Sequence, residues 1–213
     1  MGLIGVFGGT FDPIHFGHLR VAHEVWEDLG MERIHFIPAK VPPHRPQPLA
    51  GSEDRLAMVR RALEGEPGFV LDTRELDREG VSYMADTLDS LQADYPNDSL
   101  CLILGMDAFN GFTRWHEWQR ILETAHLVVT GRPGSRPQGE AAELLAEREA
   151  GSVEGLAAET SGRILFHGVT QLEISATDIR ERVRQGRDPR FLLPRGVIRY
   201  LEDNELYVTA DPA

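Results

Sequence analysis

The chain has 213 residues, of which 41% are hydrophobic, and its formal net charge at pH 7 is -12. This length allows a single buried α/β core, while the negative charge repels polyanions and argues against a protein that holds DNA or RNA along its surface. One cysteine excludes a disulfide framework and no run of eighteen apolar residues predicts a membrane span, so we expect a cytoplasmic protein that is not membrane-bound.

The predicted elements alternate between strand and helix. Short apolar runs predict strands, and apolar residues at helical spacing predict helices, two of which stop at Gly30 and Gly186. In chain order, the predictions are strand 3–7, helix 18–29, strand 34–38, a helix from 52, strand 69–71, helix 84–91, strand 100–104, helix 118–124, strand 127–130, strand 164–166, helix 177–184 and helix 194–203. This alternation predicts an α/β fold, a Rossmann-like open parallel sheet with helices on both faces and a small C-terminal helical part.

One long segment departs from this alternation. Between residues 131 and 162 the composition shifts to Gly, Pro, Ser, Ala and Glu, and the helical stretch near 141–149 lacks a strong apolar face. Such a composition favours a loop-rich surface segment over a core element. We therefore predict one domain over residues 1–213, with a surface insertion at about 133–162.

A first motif lies between the first predicted strand and the first predicted helix, where residues 8–18 read GGTFDPIHFGH. Ligands of open α/β sheets bind at the carboxyl ends of strands, and the amides of a helix N-terminus favour a phosphate there. Gly8 and Gly9 would let the backbone approach the phosphate, and His15 and His18, three apart, could donate to the same anion. Taken singly, the glycines could do no more than form a tight turn, and the histidines could cap a helix or bind a metal.

The complete string is more specific than its parts. It is neither the G-x-G-x-x-G of dinucleotide-binding sheets nor a P-loop. It resembles the GxFxPxHxGH signature of the adenylyl and cytidylyl transferase superfamily. Transfer at phosphorus needs in-line positioning and donors aimed at the phosphoryl oxygens, and two imidazoles beside a helix start would supply such donors.

A second motif, ISATDIR, occupies residues 174–180. Ser175 and Asp178 have the spacing of a capping box, so the segment could be no more than a helix start. It also resembles the ISxTxxR signature of the same superfamily. If this helix begins at the same sheet edge as the first motif, Thr177 and Arg180 could meet the triphosphate of ATP.

Four further strings extend the resemblance over nearly the whole chain, to the bacterial nicotinate mononucleotide adenylyltransferases. They are VPPHR at 41–45, SYMADTL at 82–88, GMD at 105–107 and WHEW at 115–118. The chain departs from that family at Met84, where threonine is common, and at Ala176, where serine is common.

Each string carries an implied role. The resemblance implies that Tyr83 and Met84 present backbone amides to the nicotinate carboxylate, that Trp115 stacks on the pyridine ring and that Asp107 contacts ribose hydroxyls. His44 and Arg45 would border the site on a mobile loop. From the residues alone, Trp115 and Trp118 could equally be core anchors, Asp107 could cap a helix, and His44 and Arg45 could be solvated. The remaining histidines, including His116, are predicted to be structural or on the surface.

The predicted site combines these residues. We predict catalytic roles for His15, His18 and Arg180; ATP contacts for Gly8, Gly9, Thr10, Phe11, His18, Gly105, Asp107, Ile174, Ser175, Thr177 and Arg180; and mononucleotide contacts for Thr10, His44, Arg45, Tyr83, Met84, Asp107 and Trp115. No metal site of protein ligands is predicted.

By resemblance, the reaction transfers AMP from ATP to nicotinate mononucleotide, giving nicotinate adenine dinucleotide and pyrophosphate in NAD biosynthesis. Mg²⁺ would be held mainly by the substrate phosphates, and the enzyme would be a monomer or small homo-oligomer. Two alternatives remain from the sequence: a pantetheine-phosphate adenylyltransferase, which shares the first motif, and a nucleotide-binding regulator without turnover. The intact His15, His18 and Arg180 argue against the regulator.

Overall fold

The fold centres on one parallel sheet. The computed structural model describes residues 2–40, 47–132 and 134–208. Its six strands lie in the order β3-β2-β1-β4-β5-β6, and every neighbouring pair is parallel, which confirms the predicted sheet. The strands are β1 (Leu3–Gly9), β2 (Arg33–Pro38), β3 (Phe69–Leu71), β4 (Ser99–Gly105), β5 (Ala125–Gly131) and β6 (Ile164–Gly168).

Helices cover both faces of this sheet. They are α1 (Phe16–Asp28), α2 (Ser52–Ala62), α3 (Arg74–Asp77), α4 (Met84–Asp94), α5 (Met106–Phe109), α6 (Trp118–Thr124), α7 (Glu140–Arg148), α8 (Val153–Ala157), α9 (Ala176–Arg184) and α10 (Arg195–Asp203), with a 3₁₀ turn at Phe112–Arg114. Within the described ranges, no helix combines the length and apolar character that crossing a membrane requires.

Alternating strand side chains divide the interior into two cores. Cys101 and Ile103 of β4 join the core under α1, α2, α9 and α10, whereas Leu100 and Leu102 join the core under α4, α6 and α7. The predicted coverage of both faces is thereby confirmed. Cys101 is fully buried, and burial raises the pKa of its thiol to about 12, so the thiol stays protonated and inert.

The strand order creates a crevice beside β1. The chain runs outward from β1 to β2 and β3, then returns to place β4 on the other side of β1. Loops leaving the carboxyl ends of β1 and β4 therefore diverge, and ligands of open α/β sheets bind at such a point. α1 begins at Phe16, two residues before the predicted start, because His15 is already the extended N-cap residue.

The segment after β5 contains a helix that packs more firmly than its composition suggests. Ala141, Leu144 and Leu145 of α7 are buried against the core under α4 and α6. The expectation that this helix lacks a strong apolar face was wrong. Three apolar residues at i, i+3 and i+4 suffice to dock a nine-residue helix, even in a segment rich in Gly, Pro and Glu.

Candidate active site

A cleft of about 790 Å³ opens at the carboxyl ends of β1 and β4. One wall is formed by the first motif, a second by the start of α9, and a third by residues near the starts of α4 and α6. The lining includes the predicted residues Gly8, Gly9, Thr10, Phe11, His15, His18, Tyr83, Met84, Trp115, Ile174, Ser175, Thr177 and Arg180. The cleft thus brings together both motifs and two of the four further strings.

A buried arginine holds the first-motif loop through hydrogen bonds to backbone carbonyls. Arg55 of α2 is only 1% exposed, and its guanidinium donates to the carbonyl oxygens of Thr10 at 2.8 Å and Lys40 at 3.3 Å. Burial lowers the pKa of this guanidinium, although the nearby Asp12 opposes the shift. Sequence reasoning missed Arg55, because nothing distinguishes it from the exposed Arg60 and Arg61 on the same helix.

His15 and His18 form a stacked pair at the start of α1. Their ring centroids are 3.8 Å apart, and the backbone N–H of His15 donates to Nδ1 of His18 at 3.3 Å. Because Nδ1 of His18 accepts this bond, the neutral ring carries its proton on Nε2, where it is a hydrogen-bond donor. His15 is 6% exposed, and burial lowers the pKa of its imidazole to about 4. His15 is therefore neutral at physiological pH.

Gly17 sits where the two motifs touch. A Cβ at this position would lie 2.9 Å from Nδ1 of His15 and 3.4 Å from the carbonyl oxygen of Ile174. The first contact is closer than real Cβ atoms tolerate, and the second is at the edge of ordinary packing. The absence of a side chain at Gly17 therefore lets the second motif lie directly against the imidazole pair.

The second motif begins α9 and reaches back to the first. Ser175 is the N-cap residue, and its hydroxyl accepts from the N–H of Asp178 at 3.0 Å, as the capping interpretation predicts. Nη1 of Arg180 donates to the backbone carbonyl of Asp12 at 2.6 Å, and Nη2 donates to Thr177 Oγ1 at 3.2 Å. The second motif therefore both caps α9 and contacts the first motif.

The opposite wall carries an aromatic surface beside a helix N-terminus. Tyr83 is the N-cap residue of α4, and its ring lies 4.1 Å from that of His116, measured between centroids. Trp115, partly buried, packs on Phe112 and lines the cleft, whereas Trp118 packs on Phe112 without lining it. His116, expected to be structural or on the surface, belongs to the cleft wall.

A buried carboxyl supports this wall. Glu75 of α3 is 3% exposed and accepts from the hydroxyl of Thr87 at 2.9 Å, while its carbonyl accepts from Ser82. Burial raises the pKa of the Glu75 carboxyl. Glu75 thereby connects α3 to the segment that begins α4. Sequence reasoning missed it, since the short helix α3 gave no periodic signal.

Some predicted residues are placed elsewhere. Gly105 and Asp107 are exposed and do not line the cleft, although Leu104 and Ala108 on either side do. Their predicted contacts with ATP and ribose therefore stay predictions. His44 and Arg45 lie outside the described residues. Among the residues that the structure does describe, no group of three or more His, Cys, Asp or Glu side chains could hold a metal ion.

Comparisons with known proteins agree with one another. The Cytidylyltransferase-like family model matches residues 6–182. A Methylococcus capsulatus protein named "Probable nicotinate-nucleotide adenylyltransferase" is 45% identical over 208 residues, covering 96% of this chain and 99% of its own. A Marinobacter nauticus protein of the same name is 48% identical over 205 residues, covering 95% of both chains.

A solved structure shares the fold at low sequence identity. The nicotinic acid mononucleotide adenylyltransferase of Plasmodium falciparum, complexed with NaAD, superposes with a TM-score of 0.73 at 16% identity. The match covers 97% of this chain and 98% of that one. At this identity the likeness speaks for the fold alone.

Proposed function

This chain belongs to the nicotinate-nucleotide adenylyltransferases of the Cytidylyltransferase-like family, and we propose that it transfers AMP from ATP to nicotinate mononucleotide. The products are nicotinate adenine dinucleotide and pyrophosphate. The observation that carries this proposal is the shared cleft, in which His18 and Arg180 from distant motifs face Tyr83 and Trp115.

The reaction exchanges one phosphorus–oxygen bond for another. An oxygen of the acceptor's phosphate attacks the α-phosphorus of ATP in line, and the bond from that phosphorus to the bridging oxygen breaks, so pyrophosphate leaves with the electron pair. No protein nucleophile is needed. His18, through Nε2–H, and Arg180, through its guanidinium, stabilise the charge on the phosphoryl oxygens. The neutral, buried His15 holds the His18 ring by stacking, and its one ring N–H would donate to a phosphate oxygen.

The acceptor occupies the wall formed by α4 and the aromatic rings. The first-turn amides of α4 attract a carboxylate, and the flat indole of Trp115 receives the pyridine ring. Asp86 in that first turn would repel a carboxylate, but Arg120 pairs with it at 2.9 Å and offsets its charge. Because amides supply the contact, Met84 in place of threonine leaves it intact.

Mg²⁺ enters with ATP in this proposal. Phosphate oxygens and water are ligands that Mg²⁺ favours, and the described residues offer no protein cage in their stead. The ion would neutralise phosphate charge, while His18 and Arg180 act on the remaining oxygens. We also propose a cytoplasmic location and a monomeric or small homo-oligomeric state.

The test is pyrophosphate release with ATP and one acceptor at a time. Nicotinate mononucleotide should give rapid release, nicotinamide mononucleotide slower release, and pantetheine phosphate or no acceptor none above background. If pyrophosphate were released with pantetheine phosphate and with neither mononucleotide, the enzyme would be a pantetheine-phosphate adenylyltransferase. Tight binding of ATP without release with any acceptor would indicate the regulator instead.

A further inference from the structure

Beyond both motifs, the segment after α10 reaches the first-motif loop through Tyr207. The hydroxyl of Tyr207, 195 positions after Asp12, donates to Asp12 Oδ1 at 2.6 Å. The Asp12 carboxylate is 7% exposed. A hydrogen bond to a buried carboxylate is charge-assisted and stronger than one between neutral groups.

Asp12 is the point at which several segments meet. Its carboxylate also accepts from the backbone N–H groups of Leu49 at 2.9 Å and Ala50 at 3.1 Å. Its carbonyl accepts the 2.6 Å bond from Arg180. A rotation of Asp12 would therefore disturb Arg180 and the segment before α2 together. Asp12 lines the cleft and Tyr207 does not, so Tyr207 holds the carboxylate without itself forming part of the cleft lining.

The backbone at Tyr207 is unusual in a way that the preceding helix does not explain. Glu205 has φ 49, but it is the left-handed residue of a Schellman motif, in which the N–H of Leu206 reaches the carbonyl of Leu201 at 3.0 Å. Tyr207 has φ 63, after that motif is complete. A left-handed non-glycine residue costs free energy and persists where its surroundings hold it. In this conformation the hydroxyl of Tyr207 donates to Asp12 Oδ1.

We propose that Tyr207 is a positioning residue for nucleotide binding: by holding the Asp12 carboxylate, it keeps the Asp12 carbonyl directed at Arg180 and Arg180 directed at the triphosphate. This role rests on the proposed function. Burial and the bond to Asp12 raise the pKa of the Tyr207 hydroxyl well above its usual range, so the hydroxyl remains a donor throughout the working pH range.

The test uses two matched substitutions. Tyr207→Phe removes the hydroxyl and keeps the ring, and Tyr200→Phe does the same to a tyrosine of α10 that donates to Asp54 at 2.9 Å, away from the cleft. Both remove one tyrosine–carboxylate bond, and Tm should fall more in Tyr207→Phe because Asp12 is buried whereas Asp54 is partly exposed. Only Tyr207→Phe should lower kcat/KM for ATP, on the order of ten-fold, the effect of losing one bond to a charged group.

A second pair of variants tests whether the effect passes through Arg180. In an Arg180→Lys background, Tyr207→Phe should cost little further affinity for a non-hydrolysable ATP analogue measured by calorimetry. Equal losses in both backgrounds, or losses no larger than those of Tyr200→Phe, would overturn the positioning role. Absence of turnover in the wild-type protein with ATP and nicotinate mononucleotide would contradict the proposed reaction instead, so the two failures are distinguishable.

Discussion

Arg180 of α9 donates a 2.6 Å hydrogen bond to the backbone carbonyl of Asp12, a residue 168 positions earlier in the chain. This bond joins the second motif to the first at the floor of the cleft. Nη2 of Arg180 donates to Thr177 Oγ1 at 3.2 Å, and Arg180 lines the cleft, so its guanidinium lies within reach of an anion bound there.

His18→Ala should lower turnover far more than it weakens ATP binding. A donor that acts on charge developing in the transition state is worth roughly 10² to 10³ in kcat, whereas ground-state binding should change only a few-fold. The measurements are kcat by pyrophosphate release and the Kd of a non-hydrolysable ATP analogue. His23→Ala, a change at a half-exposed position of the same helix that does not line the cleft, is the control. Equal losses in kcat and Kd would contradict a transition-state role.

His15 should make the protein less stable in mild acid. The folded protein keeps this imidazole neutral down to about pH 4, whereas the same group in the unfolded chain binds a proton near pH 6.5. The contribution of His15 to the free energy of unfolding is therefore fully present above the pKa of the unfolded chain. It is lost as the pH falls toward the pKa of the folded state, by about 2 kcal/mol between about pH 7.5 and about pH 5. Urea unfolding at both pH values should show this loss in the wild type and much less in His15→Asn. An unchanged pH dependence in the variant would refute the assignment.

Gly17→Ala should impair catalysis although alanine normally favours a helix. The new methyl would lie 2.9 Å from Nδ1 of His15 and push the imidazole pair out of register, so we expect kcat to fall about ten-fold or more. Gly196→Ala in α10 is the control, because its Cβ meets nothing nearer than 3.4 Å. That variant should gain up to about 1 kcal/mol and keep full activity. Full activity of Gly17→Ala would show that the imidazole pair tolerates displacement.

Trp115→Ala and Trp118→Ala should separate substrate contact from core packing. Loss of a stacking surface worth roughly 1 to 2 kcal/mol should raise KM for nicotinate mononucleotide about ten-fold in Trp115→Ala, with little change in KM for ATP. Trp118→Ala should instead lower the free energy of unfolding, by up to about 3 kcal/mol, and leave both KM values near the wild type. The reverse pattern would make Trp115 the core anchor.

The fold could be predicted because its signals are local. Each strand is a short apolar run, and glycines such as Gly30 end helices. The resemblance also led us to expect His18 and Arg180 in one cleft, where the structure places them, while their roles stay predictions. Arg55, Glu75 and Tyr207 could not be found, since their roles depend on contacts with residues distant in sequence. The sequence around each of them resembles that of ordinary surface positions, and only the folded structure shows which residues they contact.

The most direct test of the account is a crystal structure of the protein with a non-hydrolysable ATP analogue. We expect the triphosphate between His18 and Arg180, at the carboxyl end of β1, with the α-phosphorus facing the wall that holds Tyr83 and Trp115. A nucleotide bound in a second pocket beside Gln92 and Asp98, at the opposite end of the sheet, or a triphosphate that contacts only one of the two motifs, would contradict the account.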